Sequence, residues 1–82
     1  MYFVYILKCN DGTFYTGYTV DLEKRLAKHN QGKASKYTRG RLPVEIVYTE
    51  RFDSKSQAMQ REASIKKLKR PEKIRLIKNH PY

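Results

Sequence analysis

Five polar side chains, Tyr5, Tyr15, Arg25, His29 and Glu62, are spaced so that a hairpin and two helices could bring them together. Their types suit hydrolysis of a phosphodiester. That reaction needs a base for the attacking water, a cation near the phosphorus oxygens and help for the departing oxygen. Glu62 could hold one magnesium (or manganese) ion that keeps most of its coordination as water and substrate oxygen. Arg25 could brace the phosphate with its fixed fork of donors. A phenol of ordinary pKa, about 10, is a poor base near neutrality, so Tyr5 would need a nearby cation or metal to favour its ionised form. His29 could orient or assist that phenol, and Tyr15 could hydrogen-bond the water or the phosphate.

The elements that must position these groups are readable from pattern. Residues 2–8, YFVYILK, form a nearly unbroken apolar, aromatic and β-branched run that suits a central strand. Residues 13–18, TFYTGY, form a second strand, and the intervening Cys9-Asn10-Asp11-Gly12 is a turn signal. A two-residue Asp11-Gly12 turn would put Tyr5 and Tyr15 on opposite faces. A three-residue loop with Gly12 left-handed pairs Cys9 with Thr13, sets Tyr5 opposite Gly17, and puts both phenols on one face. The three-residue loop is the favoured reading, because glycine suits its third position. Gly17 would then leave space above the sheet beside Tyr5.

A helix is expected from about Asp21 to Asn30, with Thr19 or Asp21 as its cap and Gly32 just beyond its end. At 100° per residue Leu22, Arg25, Leu26 and His29 share one arc, while Lys24 and Lys28 lie opposite. Residues 31–42, QGKASKYTRGRL, read as an exposed basic loop. Pro43 precedes a third strand over residues 44–49, and Ser54 with Gln57 forms a capping box for a second helix reaching about Leu68. Ala58, Glu62 and Ile65 share one arc of that helix, with Met59 nearby, and a carboxylate among apolar neighbours is costly unless paired with a cation or metal. Pro71 suits the first turn of a third helix ending near Lys78. The expected fold is one α+β domain over residues 1–82, a small three-stranded mixed or antiparallel sheet flanked by helices in the order β-β-α-β-α-α.

Composition bounds the function. An 82-residue chain buries only about 60% of the surface its unfolded form exposes, so inward polar groups call for an explanation. Despite 32% charged residues, 39% are hydrophobic and fall in periodic segments, which argues for a folded globule. No apolar run approaches the ~20 residues needed to span a bilayer, and the start lacks the features of a signal peptide. A cytoplasmic protein is expected, nucleoid-associated if bacterial. Cys9 is the only cysteine, so no internal disulfide can form, and a structural role near a strand end is expected for it. The net charge is +10, with most of the excess after residue 50, which favours a polyanionic partner.

These residues and spacings resemble the GIY-YIG nuclease superfamily, most closely its small stand-alone bacterial members. The first motif corresponds to Phe3-Val4-Tyr5 and the second to Tyr15-Thr16-Gly17. Asp21-Leu22-Glu23-Lys24-Arg25-Leu26 and His29-Asn30 follow, and Glu62 lies where the metal-binding glutamate would fall. The resemblance implies a magnesium-dependent endonuclease, with Tyr5 as base, Arg25 as phosphate ligand, Glu62 as metal ligand and Gly17 keeping the site open. Phe3 and Val4 stand where Gly-Ile is usual. Ile74 stands where several members carry an asparagine, and Asn79 is the nearest substitute. DNA, favoured over RNA, would be engaged through Lys33, Lys36, Tyr37, Thr38, Arg39 and Arg41, and through Lys66, Lys67, Lys69 and Arg70. A monomer or weak dimer is expected, with a protein partner as a source of specificity. A non-catalytic nucleic-acid-binding module of the same fold is the alternative reading.

Overall fold

The computed structural model describes residues 1–79. Strands β1 (Tyr2–Lys8), β2 (Phe14–Thr19) and β3 (Glu45–Phe52) form an antiparallel sheet in the order β2-β1-β3. Four helices lie among the described residues: α1 (Leu22–Asn30), α2 (Lys36–Arg39), α3 (Lys55–Lys66) and α4 (Arg70–Asn79).

The β1–β2 turn is the three-residue loop. The Cys9 amide donates to the Thr13 carbonyl at 2.8 Å, and Gly12 adopts a φ of 84°, which L side chains rarely tolerate. Tyr5 therefore pairs with Gly17 and Leu7 with Tyr15. Asp11 fixes the turn further, accepting from the Thr13 amide and hydroxyl.

Alternation along β1 divides the interior in two. Val4 and Ile6 join Tyr48, Ala58 and Ile65 beneath α3 and α4, whereas Tyr5 and Leu7 join Cys9 and Val44 on the side packed by Leu22 and Leu26 of α1. A bulge between Ile6 and Leu7 breaks the alternation of β3, so that Val47 and Tyr48 both face the α3–α4 side while Ile46 faces the other. Burial raises the pKa of the Cys9 thiol, consistent with a packed rather than reactive side chain.

Caps set the helix boundaries. Asp21 accepts from the Lys24 amide, Ser54 accepts from the Gln57 amide, and the Glu72 carboxylate reaches back to the Lys69 amide. Two expectations are corrected. Residues 31–42 are not an irregular exposed loop, because Ser35 accepts from the Tyr37 amide and starts α2, whose Thr38 is fully buried. Met59 points outward and is 46% exposed, because α3 turns only Ala58 and Ile65 fully inward.

Candidate active site

A cleft of about 410 Å³ is lined by Tyr5, Tyr15, Gly17, Arg25 and Glu62, together with Tyr2, Tyr18, Thr19, Val20 and Lys55. It takes consecutive residues of β2, an edge strand, and so opens around the free side of the sheet between α1 and α3. In this way Glu62, carried by the helix beneath one face, meets Tyr5 and Tyr15 from the other.

Each inward polar group is held by its element. Tyr5 projects from the central strand and is 1% exposed, and its ring passes over Gly17. Its hydroxyl lies 3.0 Å from Nε2 of His29, itself 1% exposed on the inner face of α1. Nδ1 of His29 lies 2.9 Å from the Thr38 hydroxyl, which also donates to the Ser35 carbonyl at 3.3 Å. Tyr15 packs edge-on against the same imidazole and stacks on Tyr37, over which the Arg41 guanidinium lies.

Electrostatics follow from this burial. Desolvation pushes the Tyr5 phenol up to about 12, and the neighbouring Arg25 guanidinium acts in the opposite sense by favouring the phenolate. Desolvation and then Arg25 hold His29 down at about 4, so its imidazole is neutral near pH 7, donating at one ring nitrogen and accepting a hydrogen bond at the other. Glu62 keeps 20% of its side-chain surface exposed, and its ion pair with Lys66 is a loose 3.7 Å contact one helical turn on. Among the described residues no three His, Cys, Asp or Glu side chains form a metal cage. One carboxylate facing an open cleft suits a hard cation that retains its water, and does not suit zinc.

The basic residues divide. Lys33, Lys36 and Arg39 are exposed around α2, and Lys66, Lys67 and Lys69 are exposed near the end of α3. Arg41 instead ties the hairpin turn to α2, bonding Asp11 at 3.0 Å and the Tyr37 carbonyl at 2.7 Å. Arg70 bonds the Gly12 carbonyl and lies over Phe14. Thr38, expected to face nucleic acid, is buried against His29 and cannot do so. Neither Ile74 nor Asn79 lines the cleft. Lys55 does, and it was missed in the sequence although it stands seven residues before Glu62, two turns along the same helix face. Asn30 is a structural clamp that no local pattern signals: its side chain accepts from the Val44 amide at 2.8 Å and donates to the Val44 carbonyl at 3.1 Å.

A small antiparallel sheet with two tyrosines, an arginine and a glutamate around one edge cleft defines a class. The GIY-YIG catalytic domain matches residues 1–75, and the chain belongs to that family. Among relatives, it is 60% identical over 76 residues to a UPF0213 protein of Natronomonas pharaonis, covering 93% of this chain and 89% of that one. It is 53% identical to a UPF0213 protein of Staphylococcus saprophyticus, with 93% of each chain covered. The solution NMR structure of the UPF0213 protein BH0048 from Bacillus halodurans superposes with a TM-score of 0.61 at 49% identity, covering 95% of this chain and 84% of that one. A second NMR structure, of the E. faecalis protein EF2693, gives 0.64 at 44% identity, with 95% and 83% covered. Among the described residues, no helix is long and apolar enough to cross a membrane.

Proposed function

We propose that the protein is a metal-dependent endonuclease hydrolysing phosphodiester bonds in DNA, with branched, damaged or single-stranded DNA as the substrate class. The observation that carries this reading is the convergence of Tyr5, Tyr15, Arg25 and Glu62 on one open cleft, with the Tyr5 hydroxyl anchored to His29.

Arg25 braces the scissile phosphate and balances charge that grows on its oxygens. Tyr5 takes the proton of the attacking water, and His29 holds the phenol in position to do so. Tyr15, fixed between His29 and Tyr37, orients the water or a phosphate oxygen. Glu62 would hold one magnesium or manganese ion, which when bound supplies Lewis-acid stabilisation of phosphate charge and favours ionisation of a nearby phenol. Lys55 adds a cation on the Glu62 side of the cleft. The exposed Lys33, Lys36 and Arg39 around α2 and the lysines closing α3 draw in the polyanion, so affinity falls steeply with salt.

The test is cleavage of a panel of branched, damaged and single-stranded DNA and of RNA, with magnesium and with chelator, by the wild type and by Glu62→Ala. Magnesium-dependent cutting by the wild type and its loss in the variant are expected. No cutting on any substrate, or equal cutting by both proteins, would replace the enzyme with a non-catalytic nucleic-acid-binding module.

A further inference from the structure

We infer that Thr38 is a positioning residue: its buried hydroxyl locks His29 in the tautomer protonated on Nδ1, leaving Nε2 bare to receive the Tyr5 proton. The catalytic meaning of this inference rests on the nuclease reading. The tautomer itself does not.

The proton placement follows from counting donors. Thr38 has one hydroxyl hydrogen and two lone pairs, and the Ser35 carbonyl 3.3 Å away can only accept, so the hydrogen goes there. Toward Nδ1 of His29, at 2.9 Å, the oxygen presents a lone pair, and Nδ1 must supply the hydrogen. A neutral imidazole has one N–H, so Nε2 is unprotonated and accepts from the Tyr5 hydroxyl at 3.0 Å. Thr38 and His29 are 0% and 1% exposed, so bulk water does not compete for these groups.

The consequence lies on the cleft side of Tyr5. With its hydrogen directed inward, the phenolic oxygen turns lone pairs toward the cleft, where Arg25 can only donate. An attacking water can then transfer a proton to that oxygen as Tyr5 passes its own proton to Nε2. One O–H bond of water breaks as its oxygen bonds phosphorus and the leaving P–O bond opens, a new phenolic O–H forms, and the original phenolic proton ends on Nε2 of His29, which becomes an imidazolium whose Nδ1–H stays hydrogen-bonded to the Thr38 oxygen. In the opposite tautomer Nε2–H would donate to Tyr5, the phenolic hydrogen would turn outward, and the phenol, with no inner acceptor for its own proton, could not take one from water. The short helix α2 thus has a reason to exist. Ser35 caps it, its first turn brings the Ser35 carbonyl under Thr38, and Thr38 reaches α1.

The decisive measurement is the pair of imidazole nitrogen shifts of His29 in 15N-labelled protein at neutral pH, in a His80→Gln background that leaves His29 as the sole histidine. A pyrrole-type Nδ1 and a pyridine-type Nε2 are expected, and the reverse pattern overturns the inference. Thr38→Ser should keep both the pattern and the cleavage rate. Thr38→Val, nearly isosteric but without the hydroxyl, should lose the pattern and slow cleavage about 100-fold, with KM for DNA unchanged. A folded Thr38→Val protein with wild-type shifts and rate would sink the proposal. If that variant does not fold, the wild-type spectrum and Thr38→Ser decide alone. Failure of every protein to cleave would count against the nuclease reading, while the spectrum would still judge the tautomer.

Discussion

The phenolic oxygen of Tyr5 lies 2.5 Å from the point a Cβ on Gly17 would occupy, and its Cζ lies 2.7 Å from it. Neither atom can give way cheaply, because the ring is buried and its hydroxyl is tied to His29. Gly17→Ala should therefore displace the phenol and lower cleavage by about 100-fold. It should also cost about 1–3 kcal/mol of stability through overpacking. Cleavage rates and urea unfolding of the variant test both effects, and a folded variant with full activity would contradict the role given to this close approach.

Arg25 acts on two groups in the same direction, lowering the pKa of Tyr5 and of His29. Arg25→Gln should raise both, as followed by NMR titration of labelled tyrosine and histidine. With the phosphate brace gone, cleavage should fall by about 10²–10³-fold. A variant in which either group titrates lower than in the wild type would contradict the electrostatic account.

Acid sensitivity should centre on His29. Its folded-state pKa of about 4 lies below the value of about 6.5 expected in the unfolded chain. Between those values the unfolded state binds a proton that the folded state does not, so stability is full above about pH 6.5 and declines as pH falls toward 4. The total loss is on the order of 3 kcal/mol. Urea unfolding at a series of pH values should show that decline in the wild type and a flatter profile in His29→Gln. A flat wild-type profile would refute it.

Asn30 should matter to the fold and not to the chemistry. Its amide makes two hydrogen bonds to the Val44 backbone and so ties the end of α1 to the entry of β3. Asn30→Ala leaves both partners unpaired and should destabilise by about 1–3 kcal/mol. The urea midpoint measures this, and an unchanged midpoint would show that water replaces the clamp.

Much of this architecture was legible in the sequence for identifiable reasons. A glycine third in the hairpin loop pointed to the register, because it suits the left-handed position that closes that loop while Asp11 need not be left-handed as a two-residue turn would require, and the register decided which phenols share a face. Helical spacing placed Arg25 and His29 with Leu22 and Leu26, and Ser54 marked the start of α3. The sequence hid α2, because four residues in a polar basic segment have no period to detect. Thr38 was hidden with it, since the partner that buries it is a histidine nine positions earlier. Arg41 and Arg70 looked like free cations because nothing local signals that their partners are Asp11 and the Gly12 carbonyl. The bulge opposite Ile6 was invisible because Val47 fits an alternating strand equally well.

The two separate half-interiors on either side of β1 give the chain an uneven tolerance for sequence drift. Trimming Leu76 or Ile77 on the α4 flank loosens packing around Val4 and Ile6 without re-aiming the phenol behind them. Sliding β1 by a single position would exchange the two sets wholesale, sending aliphatic side chains toward the imidazole and tyrosine toward α3. Substitutions at the rear of this small protein therefore spare the aim of the phenols, whereas a slip along the hairpin does not.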